Sequence, residues 1–228
     1  LKILNSKKNW ITFVGKLNKA KGYDVFVKAI KKILNKYPNW KAKIIGDEKR
    51  EKIDLFHKNA DILGFLNHNK VLDIYKKTSI AVVCSRWEEP FGRTSLEASS
   101  NGCAVIISNR GGLPETITDG IILKSLNRKN LFGKIDKLIN NINLRKKLQN
   151  LSYKNFYLTH KFVSKMIDDF RDSKLLQSKQ FFISNTNKHL RILHVTNFNE
   201  RHDGRLYFNT GRRINNGLIR LGHSILEF

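Results

Sequence analysis

The segment Trp87-Glu88-Glu89-Pro90-Phe91-Gly92-Arg93-Thr94-Ser95-Leu96-Glu97 carries three carboxylates, of which Glu89 and Glu97 are separated by seven residues around a Pro–Gly turn. Carboxylates are strong hydrogen-bond acceptors, and two that converge can grip a polyhydroxylated ligand. Gly92 lets a ligand approach the backbone. A helix starting near Thr94 would aim free N–H groups at the turn, which makes an anion site. Glu97 then falls in the first helical turn, where it can reach back toward the pocket of Glu89. Taken alone, the pair fits equally well a Glu97 that only supports the helix N-terminus and a Glu89 that is solvated.

Two further loops have the composition to meet phosphate. In Gly15-Lys16-Leu17-Asn18-Lys19-Ala20-Lys21-Gly22, Lys16 and Lys21 bracket a short connection between two glycines. Two cations beside a helix N-terminus suit a diphosphate, each charge-assisted bond contributing roughly 1.5–3 kcal/mol. Lys19 reads as a solvated charge, and the Gly-x4-Gly-Lys-Ser/Thr pattern of a P-loop is absent. In Asn109-Arg110-Gly111-Gly112-Leu113-Pro114-Glu115, a glycine pair precedes a proline at a helical N1 position. That suits a backbone loop facing sugar or phosphate, and equally a plain strand-to-helix turn.

These loops matter only if the chain brings them together. Short apolar runs at 10–15, 43–46, 60–63, 80–84, 104–107 and 121–123 read as strands. Between them lie helix-period segments, such as Val25, Phe26, Ala29, Ile30, Ile33 and Leu34, then Val71, Leu72 and Tyr75. A short helix at 95–101 closes on Gly102, a good left-handed cap. Continuously apolar strands alternating with helices give an α/β fold, a Rossmann-like parallel sheet with helices on both faces. Ligands of such sheets bind beyond the carboxyl ends of the strands, and all three loops follow strands.

From 127 to about 176 the pattern is helical. It has stripes at Leu131, Ile135, Leu138 and Ile139, at Leu144, Leu148, Leu151 and Tyr153, and at Phe162, Val163, Met166, Ile167 and Phe170. Residues 177–189 read as a linker. The pattern then restarts with a strand at 190–195, a polar loop, a helix at 207–221 and a strand at 224–228. That is a βαβ opening too short to be a domain by itself. The chain starts at Leu1 and stops within a strand-like run, as expected of a piece of something longer.

Composition narrows the function classes. The net charge is +24, which raises nucleic acid or anionic membrane as partners. The lysines are spread over nearly every segment, mixed with Asn and Ile, without a basic helix interleaved with aromatics. Compositional bias explains this better than nucleic-acid binding, so no nucleic-acid partner is expected. Weak attraction to anionic lipid heads stays open. No apolar run reaches the length of a membrane span. Cys84 and Cys103 sit in apolar runs and read as buried free thiols of a reducing compartment, not as a disulfide or metal site. The scattered His189, His194 and His223 read as ordinary histidines.

Lys16 and Lys21, the Glu89-x7-Glu97 pair enclosing Pro-Phe-Gly, and Gly112-Leu113-Pro114-Glu115, in this order, resemble the C-terminal donor-binding domain of retaining family-4 glycosyltransferases of the GT-B type. The resemblance covers about 1–176. It implies that Lys16 and Lys21 hold the donor diphosphate and that Glu89 contacts the transferred sugar. Glu97 would hydrogen-bond the nucleotide ribose. Gly15, Phe91, Gly92, Arg93 and Thr94 would face sugar and phosphates, and the Gly64-Phe65 loop the base. It implies no cofactor and no essential metal, with a UDP- or GDP-linked sugar as substrate and a glycan or glycolipid hydroxyl as acceptor. The chain has no Asp-x-Asp pair. Leaving-group charge would then fall to the lysines and the helix N-terminus. The family usually has Arg at the first cation position. Lys16 binds phosphate as a point charge instead of a planar fork.

Residues 190–228 resemble, more weakly, the start of a GT-B N-terminal domain, through His194-Val195-Thr196-Asn197, Gly204 and Gly222-His223-Ser224. Two tandem glycosyltransferase modules are therefore expected, with 1–176 ending one and 190–228 opening the next. Without an acceptor domain before Leu1, the piece alone is expected to bind donor weakly and turn over little. The expected location is cytoplasmic, peripheral at the inner membrane face if the lipid attraction is used. Three alternatives stay open: a non-catalytic nucleotide-sugar-binding module, a charge-driven nucleic-acid binder, and a phosphorylase on the same architecture.

Overall fold

The computed structural model describes residues 5–177, 189–195 and 211–227. The expected linker, the loop around Gly204, the first turn of the expected 207–221 helix and Phe228 lie wholly or largely outside them. Contacts divide the chain into two compact units, Leu1–Met166 and Ile167–Phe228.

The first unit is built on six parallel strands: β1 (Lys8–Val14), β2 (Lys41–Ile45), β3 (Ala60–Ile62), β4 (Thr78–Val83), β5 (Ala104–Ser108) and β6 (Gly120–Leu123). Their order across the sheet is β3-β2-β1-β4-β5-β6. Every residue of β4 and β5 is buried, which is why both read as unbroken apolar runs. At the edge, β3 is three residues long and ties to β2 through a Lys43–Asp61 ion pair, a short and charged edge of the kind that resists further pairing.

Helices cover both faces. On one, α1 (Tyr23–Lys36) and α4 (Arg128–Asn140) bury Phe26, Ile30, Leu34, Leu131, Ile135 and Leu138 against Ile11, Phe13, Ile80 and Ile106. Asp24 in the first turn of α1 and Lys36 in its last complement the helix dipole. On the other face, α2 (His68–Lys77) and α3 (Arg93–Ser100) supply Val71, Tyr75 and Ala98 to a cluster with Ala81, Val83, Val105 and Ile107. Both cysteines are free and buried, Cys84 in the first cluster and Cys103 in the second. Burial pushes Cys84 up to about 12 and Cys103 up to about 11.

Two helical stripes differ from expectation. In α5 (Ile142–Lys154) the buried residues are polar: Arg145, Gln149 and Ser152. Gln149 donates to the Ser79 carbonyl (2.9 Å) and Ser152 to that of Cys103 (3.0 Å), while Arg145 donates to Leu138 O (2.7 Å) and stacks on Trp40. Leu144 and Leu148 pack at the margin of the core, and Tyr153 faces outward, because α5 crosses carbonyls at strand starts and those demand donors. In α6 (His160–Gln177) the stripe exists, but Phe162, Val163, Met166, Ile167 and Phe170 are exposed.

In the second unit, β7 (Arg191–His194) and β8 (Ser224–Glu227) pair in parallel, with α7 (Arg212–Arg220) between them in sequence.

Candidate functional site

The sheet order reverses direction between β1 and β4. From β1 the chain builds outward to β2 and β3, and from β4 to β5 and β6. The loops after these two central strands therefore diverge and leave a crevice at the carboxyl edge. A pocket of about 330 Å³ occupies it, lined by the ends of β1 and β4 with Gly15, Lys21, Glu89, Phe91, Gly92, Arg93 and Thr94.

Lys21 reaches this crevice through a tightly held loop. Its amide donates to Asn18 Oδ1 (3.0 Å), and Asn18, itself buried, donates to Glu48 Oε2 (3.0 Å). Gly22 ends the loop at φ +70°, and a Cβ there would stand 1.8 Å from the Cys84 carbonyl oxygen. Only glycine lets the lysine loop close on the end of β4.

Glu89 hangs from the opposite wall. Its turn is braced by the glycine pair that follows β5: Gly112 N–H donates to Glu89 O (2.7 Å), and a Cβ on Gly111 would stand 2.3 Å from that same oxygen. Glu88 completes the brace, accepting from the Gly111 amide and from Arg110 (2.9 Å), which holds its carboxyl below the usual range. The glycine pair thus supports the carboxylate turn and is not part of the crevice lining. The 3-10 turn that follows runs Leu113–Thr116, so Pro114 takes its second position. Across the crevice, Lys21 Nζ donates to Glu89 Oε1, with the Glu89 side chain 12% exposed.

Glu97 lies elsewhere. Gly92 caps α3 in the left-handed conformation without a side-chain cap, so the helix begins at Arg93 and Glu97 falls in its second turn, not its first. It lines an adjoining pocket of about 620 Å³ with His68, Leu96, Phe156, Leu158 and Val163. His68 Nδ1 stands 3.5 Å and Arg93 Nη2 3.7 Å from Glu97 Oε1. Burial pushes the Glu97 carboxyl up, opposed by these two neighbours. Phe91 and Arg93 line both pockets, so the two carboxylates occupy neighbouring compartments with a shared wall.

The structure brings Gly15, Lys21, Glu89, Phe91, Gly92, Arg93 and Thr94 together and sets Glu97 one compartment away. Lys16 is exposed and lines neither pocket. Gly64 O accepts from Gly46 N–H (2.8 Å), and Phe65, 80% exposed, projects outside both pockets. Among the residues that sequence reasoning passed over are Asn18, His68, Arg86 and Asp24. Arg86 and Asp24 pair through two hydrogen bonds, which hold the Asp24 carboxyl below its usual value. Their signal was an acid in the first turn of α1 and an arginine just after β4.

The doubly wound six-stranded parallel sheet matches the C-terminal domains of GT-B glycosyltransferases. Residues 2–155 match the sequence profile of the family described as glycosyl transferases group 1, and the chain belongs to that family. Spore coat protein SA of Bacillus subtilis (strain 168) is 30% identical over 158 residues, covering 62% of this chain and 42% of that protein. The C-terminal domain of the glycosyl transferase group 1 family protein LpcC from Francisella tularensis superposes with a TM-score of 0.58 at 27% identity, over 67% of this chain and 87% of that one. Anabaena Alr3699/HepE superposes with a TM-score of 0.61 over 78% of this chain and 50% of that one, and its 17% identity shows the fold alone. The chain spans between 28% and 42% of the length of these curated relatives.

Proposed function

We propose that this chain is the donor-binding half of a retaining, metal-independent family-4 hexosyltransferase, taking a sugar from UDP or GDP to a glycan or glycolipid hydroxyl. The observation that carries this reading is the Lys21–Glu89 pair across the β1–β4 crevice, next to the Glu97 compartment. A nucleoside diphosphate sugar would lie across both, over the wall that Phe91 and Arg93 share. Lys21, helped by Lys16 from the rim, would meet the diphosphate, together with the N–H groups at the start of α3. Glu89 would accept from hydroxyls of the transferred sugar, and Glu97 from the ribose diol. As the sugar–phosphate bond breaks, negative charge grows on the leaving diphosphate, where Lys21 and the helix N-terminus are already aimed. The crevice offers Lys21 and the start of α3 at that point. Anabaena Alr3699/HepE, which shares the fold, was solved with UDP and glucose.

The remaining parts of the reading are the family's. Acceptor binding falls to the N-terminal domain that the family pairs with a donor-binding one. The parallel β7–β8 pair with α7 between is read as the opening of a second such module. Cytoplasmic placement, with peripheral attraction to anionic lipid, follows from the same reading and the charge of +24.

The test is calorimetric titration of the chain with UDP, GDP and their hexose conjugates, paired with transfer assays on the full-length protein. Lys21→Ala should weaken diphosphate binding by about ten- to a hundredfold, the loss of one charge-assisted bond to phosphate. Glu89→Ala should abolish transfer and leave nucleoside diphosphate binding largely intact. Binding without transfer by the full-length wild type identifies a non-catalytic module and refutes the enzyme reading.

A further inference from the structure

Arg86 stands between the two halves of the Lys21–Glu89 grip without facing the crevice. Its guanidinium donates through Nη1 and Nη2 to both carboxylate oxygens of Asp24, and Nη1 also donates to the Lys19 carbonyl (2.6 Å). Its backbone N–H donates to the Ala20 carbonyl (2.8 Å), which also takes the Trp87 N–H (3.1 Å) and the Ser85 hydroxyl (3.2 Å). The corner at residues 19–20 is therefore bolted to the segment that leaves β4. Lys21 is the next residue on one side of that joint, and Glu89 lies three residues past Arg86 on the other.

Two separate loops thus meet at one fork. A planar guanidinium can hold a carboxylate with two bonds and a carbonyl with a third, whereas an ammonium on a flexible stem cannot reproduce that geometry. Removing the fork leaves Gly22 packed on Cys84, so α1 and β4 stay joined. The bonds to the Ala20 carbonyl remain as well, and what loosens is the Lys19 side of the corner and the first turn of α1 at Asp24, which together set the direction in which Lys21 leaves it. Phosphate binding is sensitive to such loosening, because a misplaced charge loses much of its value before any contact is deleted.

We propose that Arg86, acting through Asp24 and the Lys19 carbonyl, is the positioning residue of the phosphate grip: it fixes where Lys21 stands relative to Glu89. The proposal rests on the nucleotide-sugar reading above and adds to it a residue that touches no part of the donor.

The test compares nucleotides that do and do not reach Lys21. The 228-residue chain is titrated with UDP and GDP, and with UMP and GMP, which engage the Glu97 compartment but lack the second phosphate. Arg86→Ala and Arg86→Lys should each weaken the diphosphates about tenfold, while the monophosphates move less than about threefold. Hydrogen exchange should quicken at the amides of Lys21 and Gly22 and stay unchanged in β4 and β5. Asp24→Asn, which keeps the side-chain shape, should reproduce the selective loss, and it carries the test if Arg86→Ala does not fold. Equal loss for both nucleotide classes marks Arg86 as a general stabiliser and overturns the proposal, as does no loss for either. A wild-type chain that binds neither diphosphate overturns the nucleotide reading and this inference with it, an outcome distinct from failure at Arg86 alone.

Discussion

Replacing Gly22 by alanine gives the sharpest check on how the lysine loop is seated. At φ +70° a residue with a Cβ incurs about 1–2 kcal/mol from backbone sterics alone. The added carbon would also lie 1.8 Å from the Cys84 carbonyl oxygen and 3.3 Å from its sulfur. Carbon and carbonyl oxygen pack at about 3.3 Å or more, so loop and strand must part by over 1 Å. That separation removes the bonds from Arg86 and Trp87 to Ala20 O, each contributing about 1 kcal/mol. The expected loss is about 3–4 kcal/mol in urea unfolding, read by fluorescence, since all three tryptophans lie in the first compact unit. Two controls calibrate it. Gly64→Ala sits at φ +64° with open space around the new carbon, so it should cost only the backbone term of about 1–2 kcal/mol. Gly133→Ala, exposed in the middle of α4 with nothing nearby, should stabilise by about 1 kcal/mol. If Gly22→Ala is no worse than Gly64→Ala, the close seating of the loop on β4 is wrong.

Two titrations follow from the carboxylates. Glu97 is raised in the folded state, so the fold holds its proton longer than the unfolded chain does. Its contribution to stability is full below about pH 4.3 and falls as pH climbs through the folded value. Glu97→Gln should erase that decline in pH-dependent unfolding, and nucleotide affinity should rise with pH over the same window only in the wild type. Asp24 is lowered by Arg86, so its contribution is present above about pH 3.9 and lost as pH falls through the folded value. With Arg86 41% exposed, the stability gap between wild type and Asp24→Asn should stay below about 1 kcal/mol at neutral pH and close in acid.

The sheet and its loops were legible because their signals are local. β-branched runs bounded by glycine mark the strands, and Gly15, Gly22 and Gly92 sit where the chain must turn sharply. The phase of α3 was harder to read. A start near Thr94 puts Glu97 in the first turn, yet the cap is Gly92, and Ser95 lies inside the helix with its hydroxyl donating to Gly92 O and paired with Thr116 of the following 3-10 turn. Starting the helix at Arg93 carries Glu97 past the crevice and into the next compartment. Arg86 was invisible for another reason: its partners lie 62 and 67 residues away, and nothing near it predicts that β1 and β4 are neighbours. Arg145, Gln149 and Ser152 defeated the periodic reading of α5 because an inward polar face looks like an outward one until the facing carbonyls are known.

The adjacency of β1 and β4 also sets when the site can exist. While the chain is being made, the lysine loop emerges long before residue 89, and it has no opposing carboxylate to face until the fourth strand docks beside the first. A half-made protein therefore has no grip to offer a nucleotide. A ligand that recognises only the docked pair adds its binding free energy to the whole sheet, through the joint on which the two wings hang.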